Sequence, residues 1–461
     1  MKSHYAPYPQ YLASGVEWCD VLPASWRRVR LRWAAHIYAG GTPSKKVTEF
    51  WENGTIPWIN SGAVNQGIVR EHSALISKAA FANSSAKWIP NGGLVLALAG
   101  QGKTKGMVAQ LGISTTCNQS MAAIVPTILL KPRYLFWWLT TNYQNIRNMA
   151  GGDLRDGLNL ELLGNIECPI PTPDEQKQIA RFLDYETAKI DALIEKQQQL
   201  IALLGEKRQA FISHAVTKGL NPDAPMRDSG VEWLGEVPEH WKIWKFGHFA
   251  PIITCGVAST PTYVDEDEGM PFLSAQNIRQ NRLSLHKYNY IPHELHEQLT
   301  RHRRPLAGDI LVTRVGAGIG DACVVDIDME FSIYVSLTHI RVDPSIAVNR
   351  FIKYFFSSDY CKFLNFQGTV TGGGVGNLNV QNVKKYNIPL PRPEEQSHIA
   401  DYLDHQREKF NGLILRSEDA IELLQERRTA LISAAVTGKI DVRGWKRSSA
   451  DRPLEAEMEL A

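Results

Sequence analysis

Residues 169–217 read PIPTPDEQKQIARFLDYETAKIDALIEKQQQLIALLGEKRQAFISHAVT, and this stretch occurs twice in the chain. Its second copy, residues 389–437, reads PLPRPEEQSHIADYLDHQREKFNGLILRSEDAIELLQERRTALISAAVT, without a gap between the two. A self-similarity of this length indicates a duplicated unit. The rest of the chain is therefore best interpreted as two versions of one arrangement.

Each copy has the pattern of one long amphipathic helix. Neither copy contains a proline after its start, and acidic residues follow that starting proline, where a helix N-terminus favours negative charge. About 40 residues at about 1.5 Å each predict a helix of about 60 Å. Apolar residues with seven-residue spacing form the predicted core between the helices: Leu183, Ile190, Leu193, Leu200, Leu204, Phe211, Leu403, Phe410, Leu413, Leu424 and Leu431. The two copies are the obvious partners for each other, although two unrelated surface helices remain the alternative.

Composition sets limits on the class of protein. The chain has 461 residues, which predicts several domains, and a formal net charge of +2, which is too neutral to indicate nucleic-acid binding by itself. Its six cysteines are scattered without a CxxC pair, so we expect reduced thiols in a cytoplasmic protein. The N-terminus is polar and no apolar run approaches 18 residues, so we expect neither a signal peptide nor a membrane span.

A second, looser repeat precedes each long helix. SGVEWCDVLPASWRRVRL at 14–31 matches SGVEWLGEVPEHWKIWKF at 229–246. Further pairs follow in the same order: IPWIN with MPFLS, NGGLVLALAGQG with AGDILVTRVGAG, RYLFWWLTT with RFIKYFFSS, and LNLELLGNIECPIP with LNVQNVKKYNIPLP. The sequences between these pairs diverge freely. Two copies of one globular domain, each with its framework kept and its loops altered, account for this pattern.

These domains mix strands with short helices. Compact apolar runs bounded by glycine, such as 93–99 and 309–315, predict buried strands, while 325–344 predicts a hairpin pair and the aromatic-rich segments 132–150 and 348–366 predict short helices. The predicted order is an N-terminal arm (1–13), a first domain (14–172), a long helix (173–218), a linker (219–228), a second domain (229–392), a second long helix (393–438) and a C-terminal tail (439–461). The repeat also predicts that the C-terminus returns to the N-terminal arm, around an approximate two-fold axis.

Sequence signatures of catalysis are weak. ALAGQGKT at 97–104 imitates a phosphate-binding loop but has Ala97 in place of the first glycine, and GAGIGD at 316–321 lacks the dinucleotide-binding spacing. The acids of PDEQK at 173–177 suit a nuclease, but they begin a helix and the second copy has Ser397 in place of the lysine. Neither an amino-methyltransferase motif nor a histidine metal motif occurs. We therefore predict a chain that is not catalytic alone, with neither catalytic residues nor a metal site.

Polar loops make DNA the expected ligand. Asn and Gln pair bidentately with adenine and Arg with guanine, each pairing giving about 1–3 kcal/mol of discrimination, while Lys and Arg suit phosphates. The predicted DNA-binding residues are Ser44, Lys45, Asn60, Ser61, Gln101, Lys103, Lys105 and Asn118 in the first domain, and Gln276, Asn277, Arg279, Arg301, Arg303 and Arg314 in the second. The alternative for each of them is a place in a solvated loop or turn.

Several of these motifs resemble those of a known protein family. The chain resembles the specificity (S) subunit of type I restriction–modification systems over residues 14–445. The motifs that carry this resemblance are IPTPDEQKQIARFLD, LISAAVTGKIDVRGW, GGTPS with IPWIN, and NGGLVLALAGQG. The resemblance implies an α+β fold with two mixed α/β target-recognition domains, separated by two long antiparallel helices that form a coiled coil with a pseudo-two-fold axis. It also implies that the domains read a bipartite double-stranded DNA target, one half-site each.

The resemblance further implies a division of labour. Two methyltransferase (modification) subunits and the restriction (translocase and nuclease) subunits would be the partners, and would use S-adenosylmethionine, ATP and Mg, while this chain would bind no cofactor itself. Two other classes of function remain open: a self-contained restriction or methyltransferase enzyme, and a coiled-coil scaffold without DNA specificity.

Overall fold

The structure is a computed structural model of the chain. It describes residues 5–100, 103–149, 157–316, 318–372 and 375–447. The chain divides into two compact units, of which unit 1 combines Met1–Lys196 with Ala420–Ala461 and unit 2 consists of Gln197–Asp419. Each unit contains one mixed α/β domain and part of each long helix. The predicted boundaries of the domains remain predictions.

Unit 1 begins with twelve strands and five short α-helices in its described residues. The strands are β1 (Tyr11–Val16), β2 (Cys19–Pro23), β3 (Arg27–Arg30), β4 (Ala35–Ala39), β5 (Ile56–Ile59), β6 (Ile68–Val69), β7 (Ala74–Ile76), β8 (Leu94–Ala97), β9 (Val108–Leu111), β10 (Thr116–Cys117), β11 (Met121–Pro126) and β12 (Glu167–Ile170). The helices are α1 (Leu31–Ala34), α2 (Lys78–Ala82), α3 (Pro132–Thr141), α4 (Tyr143–Asn148) and α5 (Leu160–Asn165).

The unit 1 domain is built on two main sheets. One sheet has five strands in the order β4-β11-β8-β9-β6, and the other has three in the order β10-β5-β7. The pairs β1-β2 and β12-β3 are separate antiparallel ribbons. The strand β8 is buried along its whole length, as an apolar run between glycines predicts for a central strand.

The first long helix, α6, spans Pro173–Lys218 and starts at a capping box. The hydroxyl of Thr172 accepts the backbone N–H of Glu175 at 3.3 Å, and the Glu175 carboxylate accepts the backbone N–H of Thr172 at 3.0 Å. The helix ends where Gly219 adopts a φ of 79°, a left-handed conformation that glycine enters without steric cost.

Unit 2 repeats this plan with fifteen strands and four short α-helices among its described residues. The strands are β13 (Met226–Asp228), β14 (Glu236–Pro238), β15 (Lys242–Lys245), β16 (Ile252–Cys255), β17 (Gly269–Leu273), β18 (Ile278–Arg279), β19 (Arg282–Leu283), β20 (Asn289–Pro292), β21 (Ile310–Thr313), β22 (Ala322–Val324), β23 (Ser332–Ile333), β24 (Leu337–Arg341), β25 (Thr369–Gly372), β26 (Val375–Leu378) and β27 (Asn387–Leu390). The helices are α7 (His293–Thr300), α8 (Asn349–Ser357), α9 (Asp359–Gly368) and α10 (Val380–Val383), and the second long helix, α11, spans Pro393–Val436.

The main sheets of unit 2 correspond to those of unit 1. A four-stranded sheet has the order β16-β24-β21-β22, and a three-stranded sheet has the order β20-β17-β23. In both units the short strand that precedes the last main-sheet strand pairs in parallel, β10 with β5 and β23 with β17. This agreement in strand pairing, rather than only in sequence, establishes the two domains as copies of one fold.

The two long helices and the mixed α/β class are confirmed. The hairpin predicted at 325–344 is wrong, because β23 pairs with β17 while β24 pairs with β16 and β21 in a different sheet. Local alternation indicates strands but does not distinguish a hairpin from two strands in separate sheets, since the partners lie far away in sequence.

Within each unit, parts of both long helices contact each other. In unit 1 Arg428 donates to Asp191 at 2.8 Å, and in unit 2 Arg208 donates to Asn411 at 2.7 Å beside the ring pair Phe211–Phe410. The predicted core residues of the two long helices are buried to different extents. Leu183, Ile190, Leu403 and Phe410 are buried, Leu204, Phe211, Leu424 and Leu431 are partly buried, and Leu193, Leu200 and Leu413 are exposed by 48%, 42% and 38%.

The first and the last segments that the structure describes contact each other in unit 1. The backbone N–H of Asp441 donates to the carbonyl of Ala6 at 2.8 Å, and the Tyr11 hydroxyl donates to the carbonyl of Gly438 at 2.8 Å. The segment after α11 therefore returns to the N-terminal arm, as the repeat predicts.

Candidate nucleic-acid interface

The polar loops of unit 1 converge on one turn. We call residues 117–120, which connect β10 to β11, the junction turn of unit 1. The backbone N–H of Asn118 donates to the carbonyl of Ile59 at 3.1 Å, which places the turn beside Asn60, and the carbonyl of Ser120 accepts from Leu98 at 2.8 Å. The loop after β8, which contains Lys103, therefore leaves the sheet next to this turn.

Unit 2 builds the same turn from residues 333–336, which connect β23 to β24. The backbone N–H of Tyr334 donates to the carbonyl of Leu273 at 2.8 Å, and the carbonyl of Ser336 accepts from Arg314 at 2.9 Å. These two bonds correspond, position by position, to those of the turn in unit 1. The loops after β17 and β21 consequently leave the sheets beside the junction turn of unit 2.

A glycine lies against each junction turn. A Cβ on Gly40 would lie 2.2 Å from the carbonyl oxygen of Cys117, and a Cβ on Gly256 would lie 2.0 Å from that of Ile333. Both distances are far below any normal contact, so only glycine permits the loop after the first main-sheet strand to pass this close. In unit 1 the same loop is held by the Trp58 indole, which donates to the carbonyl of Gly41 at 3.0 Å.

Most of the predicted DNA-binding side chains are accessible. Gln101 lies outside the described residues, and Ser61 and Asn118 are half-buried. The exposed ones are Ser44, Lys45, Asn60, Lys103, Gln276, Arg279, Arg301 and Arg303. Ser44, Lys45, Asn60, Lys103 and Asn118 lie on the segments that meet around the junction turn of unit 1. Four of the exposed side chains already make internal bonds. Ser44 accepts the N–H of Lys46 at 3.4 Å and Asn60 accepts that of Gly62 at 2.9 Å. Arg279 donates to the carbonyl of Gln276 at 3.0 Å, and Arg303 donates to Thr254 at 2.6 Å.

Three of the predicted DNA-binding residues are buried, namely Lys105, Asn277 and Arg314. The amide of Asn277 donates to the carbonyls of Ser284 and Lys287 at 2.9 and 3.0 Å, which holds the β18–β19 hairpin. The guanidinium of Arg314 donates to the carbonyl of Leu378 at 3.1 Å and so fastens the β25–β26 hairpin. Residue type alone could not distinguish these internal roles from base reading, since the same donors and acceptors serve both.

The structure adds residues that the sequence patterns did not single out. The Thr42 hydroxyl donates to the Gln119 side chain across the junction turn of unit 1, and in unit 2 the hydroxyls of Thr260 and Tyr334 lie 3.2 Å apart. The signal available in the sequence was the CNQS segment at 117–120, which aligns with IYVS at 333–336 once the two repeats are superposed on their strands.

Each domain is fastened to its long helix by a buried glutamine. Gln176 is fully buried; its side chain accepts the backbone N–H of Lys131 at 2.7 Å and donates to the carbonyls of Leu129 and Pro171, both at 3.0 Å. This one side chain joins α6 to the segment that enters α3. An amide has two N–H donors and one oxygen with two lone pairs, so both donors and one of the two acceptor positions are used.

Gln396 makes the same three bonds in unit 2. It accepts from Val348 at 2.7 Å and donates to the carbonyls of Ile346 and Pro391 at 2.8 and 2.9 Å. These are the glutamines of the repeated PxPxxEQ motif, so the motif specifies the joint between domain and helix rather than a nuclease centre.

An ion pair about two helical turns further along each long helix repeats as well. Arg133 on α3 donates to Asp184 on α6 at 2.7 Å, and Arg350 on α8 donates to Asp404 on α11 at 3.0 Å. Burial tends to raise the pKa of Asp404, but the hydrogen bond from Tyr354 and nearby positive charges outweigh it, so its pKa lies below the usual range. Each aromatic-rich helix is thereby locked in rotation against its long helix.

Unit 2 also buries a charged cluster with no counterpart in unit 1. Asp309 accepts hydrogen bonds from His339 at 2.7 Å and from Arg341 at 2.7 and 2.8 Å. Burial favours a higher pKa for Asp309, but the bonds from Arg341 and His339 lower it to about 2. The carboxylate is ionised at neutral pH and acts as the anchor between β21 and β24.

Among the described residues, groups of three or more His, Cys, Asp or Glu side chains suited to a metal ion do not occur. The helices in that part of the chain are too short or too polar to cross a membrane. All six cysteines are free, and burial raises the pKa of Cys117 and of Cys323 to about 12. The thiols of Cys117 and Cys323 are therefore protonated core side chains at neutral pH.

Two copies of one mixed α/β domain, each presenting polar loops around a junction turn and each fastened to a long helix, define a duplicated recognition protein rather than a catalytic centre. The family comparison agrees with this class. Residues 23–202 and 238–423 each match the type I restriction modification DNA specificity domain. The chain belongs to this family and is a specificity subunit of a type I restriction–modification system, a component that is not itself catalytic.

Known relatives match along most of the chain or along somewhat less than half of it. The MjaIX specificity subunit of a type I restriction enzyme from Methanocaldococcus jannaschii is 24% identical over 443 residues, covering 91% of this chain and 95% of the relative. The EcoR124I/EcoR124II specificity subunit of Escherichia coli is 30% identical over 204 residues, 43% of this chain and 45% of that protein. A chain solved for a study of complex assembly in the type I system has the same fold, with a TM-score of 0.67, 19% identity, and coverage of 91% of this chain and 99% of that one.

Proposed function

We propose that this chain reads a bipartite double-stranded DNA target, with one half-site contacted by the domain of unit 1 and the other by that of unit 2. The observation that carries the proposal is the repeated junction turn, which has the same main-chain bonds in both units and different side chains. A frame that is kept while its exposed side chains change suits two readers of two different sequences.

Contacts to the DNA backbone and to the bases would be divided among different residues. The exposed Lys45 and Lys103, on loops beside the junction turn of unit 1, suit phosphates, and Arg301 has the same character in unit 2. Asn60, Gln276 and Arg279 have side chains suited to base edges. The near-neutral net charge of +2 is compatible with this role if partner subunits share the phosphate contacts.

The partners we propose are two methyltransferase subunits and, for cleavage, restriction subunits. S-adenosylmethionine, ATP and Mg would be used by those subunits in the cytoplasm, and this chain would bind none of them. Adenine methylation is then directed by the half-sites that this chain recognises.

We propose that α6 and α11 act as an antiparallel coiled coil that sets the spacing between the half-sites, with a pseudo-two-fold relation between the domains. Support comes from the joints at Gln176 and Gln396, which fasten each domain to its helix by three hydrogen bonds. Helices that set a fixed spacing require such joints, because a domain free to rotate on its helix would not hold a constant distance between the two half-sites.

Exchange of one domain tests the proposal. Residues 230–392 are replaced by the corresponding domain of a relative with a different target, and the complex with the methyltransferase is expressed in cells that lack other adenine methylation. Mapping of methylated adenines should show one half-site changed and the other half-site and the spacer retained. The matched control replaces residues 16–172 instead, and should change the opposite half-site.

Three outcomes would contradict the proposal. A change in both half-sites after a single exchange would show that recognition is not modular. Methyl transfer to DNA by the purified chain without any partner would instead show a self-contained enzyme, and equal binding of the complex to random and target duplexes at physiological salt would leave only a scaffold.

A further inference from the structure

The junction turn is a place in each domain where several polar loops meet. In unit 1 it receives the segment after β5 through Ile59, the loop after β8 through Leu98, and the loop after β4 through the close approach of Gly40. A side chain on this turn therefore has neighbours from three loops, whereas a side chain at a loop tip has them from one. Such support is what precise reading of a base edge requires.

The main chain of the turn is the same in both units, but its two central side chains are not. Asn118 and Gln119 in unit 1 correspond to Tyr334 and Val335 in unit 2. The serine after each pair is common to both turns, and its carbonyl accepts the equivalent backbone N–H in each domain. Selection for folding alone gives no reason for an amide pair in one copy and an aromatic and aliphatic pair in the other.

The amide pair of unit 1 has unused hydrogen-bonding capacity. Asn118 as a whole is half-buried, but its Oδ1 atom is buried and has no hydrogen-bond partner among the described residues. An unpaired buried oxygen of this kind is costly, so its present position is not held by a hydrogen bond, and a rotation that turns the amide outward to a ligand's donor removes the cost. The neighbouring Gln119 is exposed, and its carbonyl oxygen is oriented by the Thr42 hydroxyl.

The pair in unit 2 has the opposite character. Tyr334 packs edge-to-face on Phe272 with ring centroids 5.8 Å apart, and its hydroxyl lies 3.2 Å from that of Thr260. Val335 is half-buried and offers a methyl surface. Amides pair with adenine in the major groove, whereas apolar side chains contact the thymine methyl group, so the two turns offer different kinds of contact to a base edge: hydrogen bonds in unit 1 and a methyl-binding surface in unit 2.

We propose that the junction turn of each unit is a specificity-determining element: Asn118 and Gln119 select a base in one half-site, and Tyr334 and Val335 select a base in the other. The inference rests on the proposed function and adds the residues that discriminate. A bidentate amide contact discriminates its base by about 5- to 150-fold, and that is the effect expected when it is lost.

The test exchanges the turn of unit 1 for that of unit 2. The variant Asn118→Tyr with Gln119→Val is expressed with the methyltransferase subunit, and methylated adenines are mapped across the genome. One position of one half-site should change or lose its preference, while the other half-site stays the same. The reciprocal variant, Tyr334→Asn with Val335→Gln, should change the other half-site only.

Two single variants keep the test decisive if the double exchange does not assemble. Asn118→Ala removes an oxygen that has no hydrogen bond in the described residues, and Gln119→Ala changes an exposed side chain, so both should fold and both should relax one position. The matched control, Gln10→Val, alters an exposed glutamine in the N-terminal arm and should leave both half-sites unchanged.

The outcomes separate the inference from the proposed function. Methylation at an unaltered bipartite site in all turn variants would overturn the specificity role of the turns and leave the proposed function standing. A wild-type complex that methylates no defined bipartite site would overturn the proposed function itself.

Discussion

Gly93 of unit 1 and Asp309 of unit 2 occupy the same place, at the start of the central strand of the larger sheet. Each follows a glycine in the left-handed region, Gly92 with a φ of 83° and Gly308 with a φ of 89°. Across the strand, His339 and Arg341 in unit 2 stand where unit 1 has alanine and valine. At the start of its central strand, the domain of unit 1 has apolar packing and the domain of unit 2 has a buried ionic cluster.

This difference shows that the arrangement of strands does not depend on whether the residues at the start of the central strand are apolar or charged. Replacing a buried ion pair by apolar residues is often neutral for stability, since the attraction between the charges offsets the cost of removing them from water. Removing only one member is different, because the remaining charge stays buried without its partner. The two copies therefore have equivalent folds but unequal sensitivity to single substitutions.

The largest effect is expected for Asp309→Asn. Arg341 and His339 would lose their anion, and breaking a buried pair in this way costs about 3–5 kcal/mol. Hydrogen exchange measures each unit separately: the amides of β21 and β24 should lose protection, while those of β8 and β11 in unit 1 should keep theirs. Asp328→Asn, on an exposed residue of unit 2, is the control and should change neither. Equal loss of protection in both units would refute the local role of the cluster.

Much of this fold could be predicted because the duplicated elements carry local signals. The long helices were recognisable from their seven-residue apolar spacing and proline-bounded starts, and the central strands β8 and β21 from apolar runs between glycines. The hairpin at 325–344 was not, because the pairing of β23 with β17 is decided by sheet contacts over about sixty residues of chain. Local pattern determines an element, and distant partners determine its pairing.

The candidate site shows the same limit. Asn60 and Lys103 were predicted from residue type and are exposed, so they stay predictions, whereas Asn277 and Arg314 have the right chemistry and use it inside the fold. Gln119 was not singled out because only its position on the junction turn distinguishes it. Which polar side chain faces outward depends on the loops that meet there, and that information is absent from any one segment.

The joints between domain and helix provide the second prediction, which concerns what the two units share. Gln176→Leu and Gln396→Leu each remove three buried hydrogen bonds and leave one N–H and two carbonyls of the backbone unpaired. We expect each to cost about 2–3 kcal/mol, within the range for buried unsatisfied groups. Thermal unfolding of the full chain and hydrogen exchange of α3 and α8 measure the effect.

Because the bonds are the same in both units, the two glutamine variants should be matched in size. Gln198→Leu, on an exposed position of α6, serves as control and should be close to neutral. A large effect of one variant and none of the other would mean that only one domain is fastened by its glutamine. The joints of the two units would then not be equivalent.

The smallest effect is expected from acid, and it should again separate the units. Asp309 has a pKa of about 2 in the folded chain against an ordinary value of 3.8, so the folded state holds on to fewer protons than the unfolded state in this interval. The carboxylate therefore contributes its full stabilisation, about 2 kcal/mol, above about pH 4, and loses it as the pH falls through about 2.

Hydrogen exchange at decreasing pH, corrected for the intrinsic rates, checks this acid dependence. Protection of β21 and β24 in unit 2 should fall by about 2 kcal/mol more than protection of β8 and β11 in unit 1, where Gly93 carries no titratable group. In Asp309→Asn this additional fall should disappear, since the asparagine does not ionise. If the wild-type chain lost protection equally in both units, the acid sensitivity would have to arise from groups common to both units, and not from the cluster that distinguishes unit 2.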